Sequence, residues 1–204
     1  MEKDFLMGDA IVMSVNKVEE AGYSAALLGL SYNKKKDPAE MVKVAGKLAF
    51  LDHGHNKFLE SMVLWLEVRG PRYFWQEADT YRLSSKQSES TMHTLVKELL
   101  EVSIEDEDSV AGYLAENFES GSCSVETLKA IRAAAEENDL VGIKKLLPEG
   151  FVQRRLWCMN YKTLANIIIQ RKHHRLSHWQ SFISQVLDQI DHPELLPQLK
   201  KKSE

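Results

Sequence analysis

The feature that most constrains this chain is a pair of amphipathic helices near its C-terminus. Residues 160–173 are predicted to form one helix. A second is predicted to begin at Ser177, where Gln180 three residues later completes a capping-box pattern. The second helix carries a stripe of apolar residues at i, i+3, i+4 spacing, which are Trp179, Phe182, Ile183, Val186, Leu187 and Ile190. A stripe of this kind must be buried against another layer of the fold.

Two segments nearer the N-terminus are predicted to be strands, because they are short and rich in apolar and β-branched residues. These are residues 9–16 and 62–69, and the second is expected to end at Gly70-Pro71. Strands followed by amphipathic helices predict a protein of the α+β class.

The rest of the chain is predicted to consist of shorter helices and polar loops. Helices are expected from a cap at Asp37 to near Gly54, over an aromatic stretch after Pro71, from a cap at Ser124 to about 137, and over 139–147. Residues 82–93 are expected to form a polar loop, residues 101–123 an acidic loop or insertion, and residues 196–204 a frayed tail.

Composition excludes several classes of protein. The 204 residues are 44% hydrophobic and 27% charged, as in ordinary globular proteins, and the net charge of −4 argues against a protein that wraps duplex DNA or RNA. A single nucleotide needs only a few well-placed cations and is not excluded. Cys123 and Cys158 form no CxxC pair, so reduced thiols and a cytoplasmic location are expected. No signal peptide or apolar run of about 20 residues is present, so no membrane association is expected.

The polar segment 82–93 is the first candidate for ligand binding. It combines one Arg, one Lys, one Gln and several hydroxyl residues within twelve positions, a set that suits a phosphate or the polar edge of a ring. It also follows a predicted buried strand and a helix, where binding loops are often found. The alternative is an ordinary solvated loop, and composition alone favours that alternative.

The helix that begins near residue 160 is the second candidate. Lys162 and Asn166 are four residues apart and share one face, and Arg171 follows one turn later. Asn166 interrupts an apolar run, and a buried amide needs hydrogen-bond partners. The alternative is that Asn160 only caps the helix while Lys162 and Arg171 are surface charges. The histidines show no metal-ligand spacing, so no metal site is expected.

Taken together, the two segments resemble the flavin-dependent thymidylate synthases (the ThyX family). That family has a His-x-x-x-x-x-Glu-like element before a strand, then a signature RHR, seven residues and Ser. This chain has His55 and Glu60 with four residues between them, one fewer than in that pattern, then the strand, Arg82 as the last residue of the triplet, and Ser90 after seven residues. Towards the C-terminus the family's pattern is matched in register by Leu147-Pro148, Arg154, Trp157, Asn160, Lys162, Asn166 and Arg171, with Trp179 following after a one-residue insertion.

The resemblance implies a fold, a reaction and roles for individual residues. The fold would be a single ThyX-like domain over 1–204, with an antiparallel or mixed sheet flanked by helices. The cofactor FAD would be held by His55, Arg82, Gln87, Asn160, Lys162 and Asn166. The substrate dUMP, or a related pyrimidine nucleotide, would be bound by Glu77, Arg82, Ser90, Arg154 and Arg171. Arg171 would be catalytic, stabilising negative charge on the pyrimidine ring.

The implied reaction is the reductive methylation of dUMP to dTMP. Methylenetetrahydrofolate would supply the carbon and NADPH would reduce the flavin, while the protein supplies orientation and electrostatics. The resemblance also implies a homotetramer.

The chain departs from the family's signature at four positions. The first Arg and the His of the signature are Thr80 and Tyr81, the acidic residue two before the signature serine is Ser88, and the Arg two after it is Met92. Two arginines that could pair with a phosphate are therefore missing.

Two explanations of these departures are open. Either the site has been rebuilt with Lys86, Thr91 and His93 as new contacts, or the substrate or reaction differs. The second explanation includes a flavoenzyme that modifies another pyrimidine and a non-catalytic relative that binds flavin or nucleotide.

Overall fold

The computed structural model describes residues 12–51, 53–90 and 94–198. These residues form two compact units. The first comprises residues 12–13, 69–78, 88–90 and 94–154, and the second comprises residues 14–51, 53–68, 79–87 and 155–198. Helices and an antiparallel sheet occur together, so the predicted α+β class is confirmed.

Nine α-helices are found among the described residues. They are α1 (Tyr23–Tyr32), α2 (Val42–Leu48), α3 (Arg72–Ala78), α4 (Val96–Glu101), α5 (Glu107–Asn117), α6 (Val125–Glu136), α7 (Leu140–Leu146), α8 (Tyr161–Arg171) and α9 (His178–Leu187). The second unit contains α1, α2, α8 and α9, and the first unit contains the other five.

The sheet has four strands, β1 (Ser14–Ala21), β2 (Val63–Pro71), β3 (Ser84–Ser88) and β4 (Val152–Asn160). Their order across the sheet is β1-β2-β4-β3, so β1 and β3 are the edge strands. All four strands have most of their residues in the second unit. Alternate side chains of β2 are fully buried, as expected for a strand with one face on a core; they are Leu64, Leu66 and Val68.

The edge strand β1 is covered by two glutamine side chains, one from α9 and one from the turn that follows it. The backbone N–H groups of Val15 and Lys17 donate to the Oε1 atoms of Gln185 and Gln189, each over 2.9 Å. The Nε2 group of Gln189 donates back to the carbonyl of Val15 over 2.8 Å. Side-chain amides therefore satisfy backbone groups that would otherwise be open at this edge.

The predicted bounds of the first strand are wrong. The strand begins at Ser14 and continues to Ala21, whereas the sequence pattern predicted residues 9–16, of which 9–11 lie outside the described residues. The error arises because the second half of β1 is charged and mostly exposed. An edge strand with only one side chain buried does not need the apolar composition on which the prediction relied.

Helices α8 and α9 supply much of the core of the second unit. The stripe of α9 is confirmed, because Trp179, Phe182, Ile183 and Val186 are fully buried, although Leu187 is only half-buried. Trp157 of β4 stacks on Phe182, with ring centroids 5.3 Å apart. From α8, the buried side chains are Leu164, Ile167 and Ile168.

The first unit is a helical unit with its own apolar core. Its fully buried members include Leu128 and Ile131 of α6, and other members are Leu95, Leu99, Val110, Phe118, Ala135, Ile143, Leu147 and Phe151. The predicted cap at Ser124 is confirmed, and Asp139 caps α7. Ser124 Oγ accepts from the N–H of Thr127 over 3.1 Å, and Asp139 Oδ1 accepts from that of Gly142 over 2.8 Å.

Residues 101–123 are not simply an acidic loop, because they include α5. Asp106 caps this helix by accepting from the N–H of Asp108, and Val110 and the adjoining Phe118 are buried in the core of the first unit. The helix was missed because its exposed face is acidic and only a few apolar residues anchor it.

Other predictions fail at element boundaries. Residues 84–88 of the expected polar loop form β3, and β2 continues through Pro71, a terminal strand position where no backbone donor is required. The capping box at Ser177 is absent, since Gln180 donates instead to the carbonyls of Arg171 and His174.

The helix capped by Asp37 begins as predicted but ends earlier. The Asp37 carboxylate accepts from the N–H of Ala39 at the start of a 3-10 turn, which leads into α2. This helix ends at Leu48, short of Gly54. The predicted frayed tail is wrong at its first residue, because Leu196 is fully buried, whereas residues 199–204 lie outside the described residues.

Candidate functional site

The junction of β4 and α8 positions the first group of predicted cofactor ligands. Asn160, the last residue of β4, accepts from the N–H of Thr163 through its Oδ1 atom over 2.8 Å. It is therefore the N-cap of α8, as one of the two interpretations of the sequence required. The hydroxyl of Thr163 donates to the carbonyl of Leu83, which links the first turn of α8 to the start of β3.

Lys162 and Asn166 lie on the more exposed side of α8. The Lys162 ammonium donates to Glu60 Oε1 over 2.7 Å, and both side chains are partly exposed. Asn166 is exposed, although its neighbours Ile167 and Ile168 are buried. The interruption of the apolar run thus marks the accessible side of the helix and not a buried amide.

Arg171, at the end of α8, is held by aromatic and amide groups. Its Nε–H donates to the Tyr81 hydroxyl over 2.8 Å, and that hydroxyl donates to Gln170 Oε1 over 3.0 Å. The guanidinium lies over the Trp179 ring at 4.9 Å and over the Tyr81 ring at 5.6 Å. A planar cation held by cation–π contacts and a directed hydrogen bond has a fixed orientation.

The strand β3 carries exposed and inward-facing polar groups. Arg82, which precedes it, and Gln87 within it are exposed. Lys86 is almost buried, and its ammonium contacts the carbonyl of Tyr81 over 3.2 Å and the Trp157 ring at 4.9 Å. Burial lowers the pKa of Lys86, against the opposing effect of Asp79. Lys86 is therefore engaged inside the second unit, which speaks against its role as a replacement contact for a phosphate.

His55 lies two residues before a 3-10 turn, Lys57–Ser61, that carries Glu60. Its side chain is exposed. Among the described residues, Lys162 is the predicted ligand that forms an ion pair with this 3-10 turn, through Glu60.

In the first unit, Ser90 and Arg154 line a cavity of about 630 Å³. This volume is within the range of small-molecule sites. Arg154 Nη2 donates to Glu89 Oε1 over 2.9 Å, and the N–H of Glu89 donates to the carbonyl of Arg154 over 3.0 Å. Glu77, on α3, is half-buried and is not part of the cavity lining.

Charges around this cavity are mainly negative. Arg69 lies 3.7 Å from Glu116, so both guanidinium groups of the lining have a carboxylate partner. Burial raises the pKa of Glu98, Glu89 raises it further, and Arg154 opposes the shift. Burial likewise raises the pKa of Tyr113, whose buried hydroxyl has no hydrogen-bond partner among the described residues.

The structure thus brings the predicted residues together in groups. Asn160, Lys162 and Asn166 share α8, and Ser90 and Arg154 share one cavity. Two contacts were missed from sequence, those of Tyr81 with Arg171 and of Glu89 with Arg154. Tyr81 replaces the signature histidine, and this departure from the motif is the one sequence feature that could have pointed to its contact with Arg171. Thr91, Met92 and His93 lie outside the described residues.

Neither a metal-binding cluster nor a membrane-spanning helix is found in the described parts of the chain. No group of three His, Cys, Asp or Glu residues there is arranged to hold a metal ion. No helix of residues 12–198, outside the undescribed positions, combines the length and apolarity that crossing a bilayer requires.

Comparison with known proteins identifies the architecture. No protein-family model and no curated protein sequence matches the chain. Solved structures do match, including thymidylate synthase X (ThyX) from Helicobacter pylori with FAD and dUMP. The TM-score is 0.79 at 22% identity, over 93% of this chain and 100% of that one. The chain has the ThyX fold.

A second structure of flavin-dependent thymidylate synthase ThyX from Helicobacter pylori, complexed with FAD and dUMP, agrees. It gives a TM-score of 0.76 at 21% identity, over 90% of this chain and 97% of the other. The ThyX fold implied by the sequence motifs is therefore confirmed.

Proposed function

We propose that this protein is a flavin-dependent enzyme of the thymidylate synthase type, which binds FAD and a deoxyuridine nucleotide. The observation that carries the proposal is the ThyX fold over 93% of the chain, combined with motif residues in register. The reaction would be the reductive methylation of dUMP to dTMP. Methylenetetrahydrofolate would be the carbon donor and NADPH the reductant.

The chemistry of the donor set fits FAD. Arg82 and Lys162 are cations that can pair with phosphate, and the exposed amides of Gln87 and Asn166 can bond to the edge of a flavin ring. Asn160 caps α8 through its oxygen, which leaves the amide's N–H₂ group as the part that can donate to a ligand. With His55, these residues are the proposed cofactor ligands. FAD, when bound and reduced, would supply the electrons that complete the methylation.

Arg171 is the proposed catalytic residue. Its guanidinium is fixed by the Tyr81 hydroxyl and by the Trp179 ring before any ligand arrives. A preoriented cation stabilises negative charge that develops on a pyrimidine ring without having to reorganise during the reaction. Glu77, Arg82, Ser90 and Arg154 are the proposed substrate ligands. A homotetramer in the cytoplasm is proposed on the resemblance alone.

One observation favours a second candidate. Arg154 is already paired with Glu89, and the signature positions Ser88 and Met92 provide no further cation. A flavoenzyme on the same scaffold that acts on another pyrimidine would be consistent with that pairing. So would a relative that binds flavin or nucleotide without turnover.

Absorbance and turnover test the proposal together. Purified protein should be yellow or take up FAD, and NADPH oxidation should depend on dUMP. Bound dUMP at 100 times its dissociation constant should also stabilise the FAD-loaded protein by about 2.7 kcal/mol. Other pyrimidine nucleotides are the matched controls. A protein that never takes up FAD contradicts both flavoenzymes and leaves only a relative that binds nucleotide, and stabilisation by a different pyrimidine but not by dUMP supports the second candidate.

A further inference from the structure

Glu89 is paired with Arg154, one of the two arginines that line the cavity of the first unit. The side-chain bond is 2.9 Å long, and a backbone bond of 3.0 Å between the same two residues fixes their register. The side chains are 30% and 50% exposed, respectively, so a ligand can reach both. Glu89 therefore neutralises the Arg154 guanidinium and holds its Nη2 group, so an anion that binds there must compete with Glu89.

The remaining lining offers no substitute for Arg154. Arg69 is the second cation of the described lining, and it lies 3.7 Å from Glu116. Five carboxylates line the cavity against these two cations; they are Glu89, Glu98, Glu101, Asp108 and Glu116. A dianionic phosphate that enters must both displace a carboxylate and approach several others, and like charges at short range repel.

The other lining groups suit an uncharged polar ligand. Hydroxyls and amides come from Ser90, Thr94, Ser109, Asn117 and Gln153, and apolar surface from Val152 and Phe151. These groups can bond to sugar hydroxyls and pack against a ring without requiring a negative charge on the ligand.

We infer that Glu89 competes with the 5′-phosphate of a ligand for Arg154, so the cavity distinguishes little between a pyrimidine nucleoside and its monophosphate. This inference rests on the proposed function, since it concerns the substrate of that same site. It extends the substrate class to deoxyuridine nucleosides that lack a phosphate, and it makes Glu89 a residue that determines specificity.

The competition separates two effects of a carboxylate. One is the direct pairing with Arg154, which Glu89 makes through its hydrogen bond. The other is the general negative charge of the lining, to which Glu101 contributes from an exposed position on α4. The substitutions Glu89→Gln and Glu101→Gln each remove one charge, but only the first weakens the pairing of Arg154.

Calorimetric titration of the FAD-loaded protein with deoxyuridine and with dUMP measures the competition directly. In the unmodified protein the two dissociation constants should agree within about threefold. Glu89→Gln should tighten dUMP binding about tenfold and leave deoxyuridine unchanged, because one charge-assisted bond to the phosphate becomes available. Glu101→Gln should change either constant less than about threefold, since exposed charges are screened.

A second variant ties the gain to Arg154. Adding Arg154→Ala to Glu89→Gln should abolish the tightening of dUMP, whereas a general charge effect would survive it. The inference is overturned if dUMP already binds far more tightly than deoxyuridine in the unmodified protein, or if Glu89→Gln changes nothing. In those cases the proposed function stands. If the FAD-loaded protein binds neither ligand, the proposed function fails, and the inference fails with it.

Discussion

The polar groups at the start of α8 and those in the cavity of the first unit differ in how firmly the fold holds them. On α8, the proposed cofactor ligands stand on a helix whose other side is fully buried, and Asn160 caps that helix. In the cavity, Arg154 is half-exposed and its partner is a carboxylate. A residue that also stabilises its own helix is fixed by the fold, whereas an exposed ligand-binding residue is free to take a new partner.

Two of the four departures from the ThyX signature match this difference, whereas the other two, Thr80 and Tyr81, lie in the second unit just before β3. Asn160 and Asn166, on the helix, stand in register with the motif. Ser88 and Met92, which flank the signature serine, do not carry the expected charges. The comparison indicates that the cofactor half of the proposed site is better supported by the sequence and the fold than the phosphate half.

The largest expected effect is on Arg171. Arg171→Ala should lower turnover about 100- to 1,000-fold, because in the proposed reaction it removes the preoriented group that would stabilise charge in the transition state. The measurement is steady-state NADPH oxidation at saturating dUMP. Arg175→Ala, which removes an exposed cation shortly after α8, is the matched control and should retain activity.

Because Arg171 also packs on Trp179, thermal melts must accompany the kinetics. Arg171→Lys keeps the charge but loses the directed bond to Tyr81, and an intermediate loss is expected. If Arg171→Ala kept more than half of the activity, Arg171 would not be the catalytic residue, and the residues fixed by the fold would not differ in importance from those of the cavity.

An intermediate effect is expected at Asn160. Asn160→Ala should lower the free energy of unfolding by about 1 kcal/mol, because the N–H of Thr163 loses its cap. Asn160→Ser should restore most of that stability, since serine is also a good N-cap. Chemical denaturation of both variants measures the cap, and FAD titration measures the cofactor role separately.

The two variants distinguish the capping role of Asn160 from its proposed role in FAD binding, because the two roles need different atoms. Serine supplies a cap but no amide donor. If Asn160 also holds FAD, Asn160→Ser should bind FAD more weakly despite its restored stability. Equal FAD affinity in the serine variant and the unmodified protein would restrict Asn160 to its structural role.

The smallest expected effect concerns Glu98 in the cavity of the first unit. Burial raises the pKa of Glu98 above its ordinary value of 4.5, and Glu89 adds to the shift. The folded protein therefore holds this proton more tightly than the unfolded chain. The resulting stability is present at low pH and is lost as the pH rises from about 4.5 through the raised value.

Glu98→Gln should consequently be slightly more stable than the unmodified protein at pH 8, by at most a few tenths of a kcal/mol, because Glu98 is exposed and solvent screens its charge. The gain should disappear towards pH 4.5. Melting temperatures across that pH range are the measurement, and Glu101→Gln controls for the loss of one charge. A gain that did not depend on pH would mean that ionisation of Glu98 does not destabilise the folded protein.

Local patterns were sufficient to predict the elements whose residues show a periodic apolar face or a cap. Helices α6 and α8 begin at the predicted caps Ser124 and Asn160, and the stripe of α9 is buried. The strand β4 was missed because its residues mix arginines with aromatic and apolar types in no clear alternation. Its place is set by pairing with β2 and β3, which sequence spacing does not reveal.

The candidate site shows the same limit. Asn160 and Lys162 could be placed on one helix because their spacing is local. The pairing of Arg154 with Glu89 joins residues 65 positions apart, and that of Arg171 with Tyr81 joins residues 90 apart. Contacts at such separations depend on how strands pair and helices pack, so no short motif could have indicated them.

The two glutamines that cover β1 have a consequence for assembly. If a strand from another molecule approached this edge, the backbone N–H groups of Val15 and Lys17 would already be bonded to Gln185 and Gln189 of the same chain. Extending the sheet there would require both glutamines to be expelled, so that edge resists fibrillar stacking. Copies of the chain that associate are therefore expected not to extend the sheet at Val15 and Lys17, which lowers the tendency of a concentrated solution to polymerise through that part of the edge.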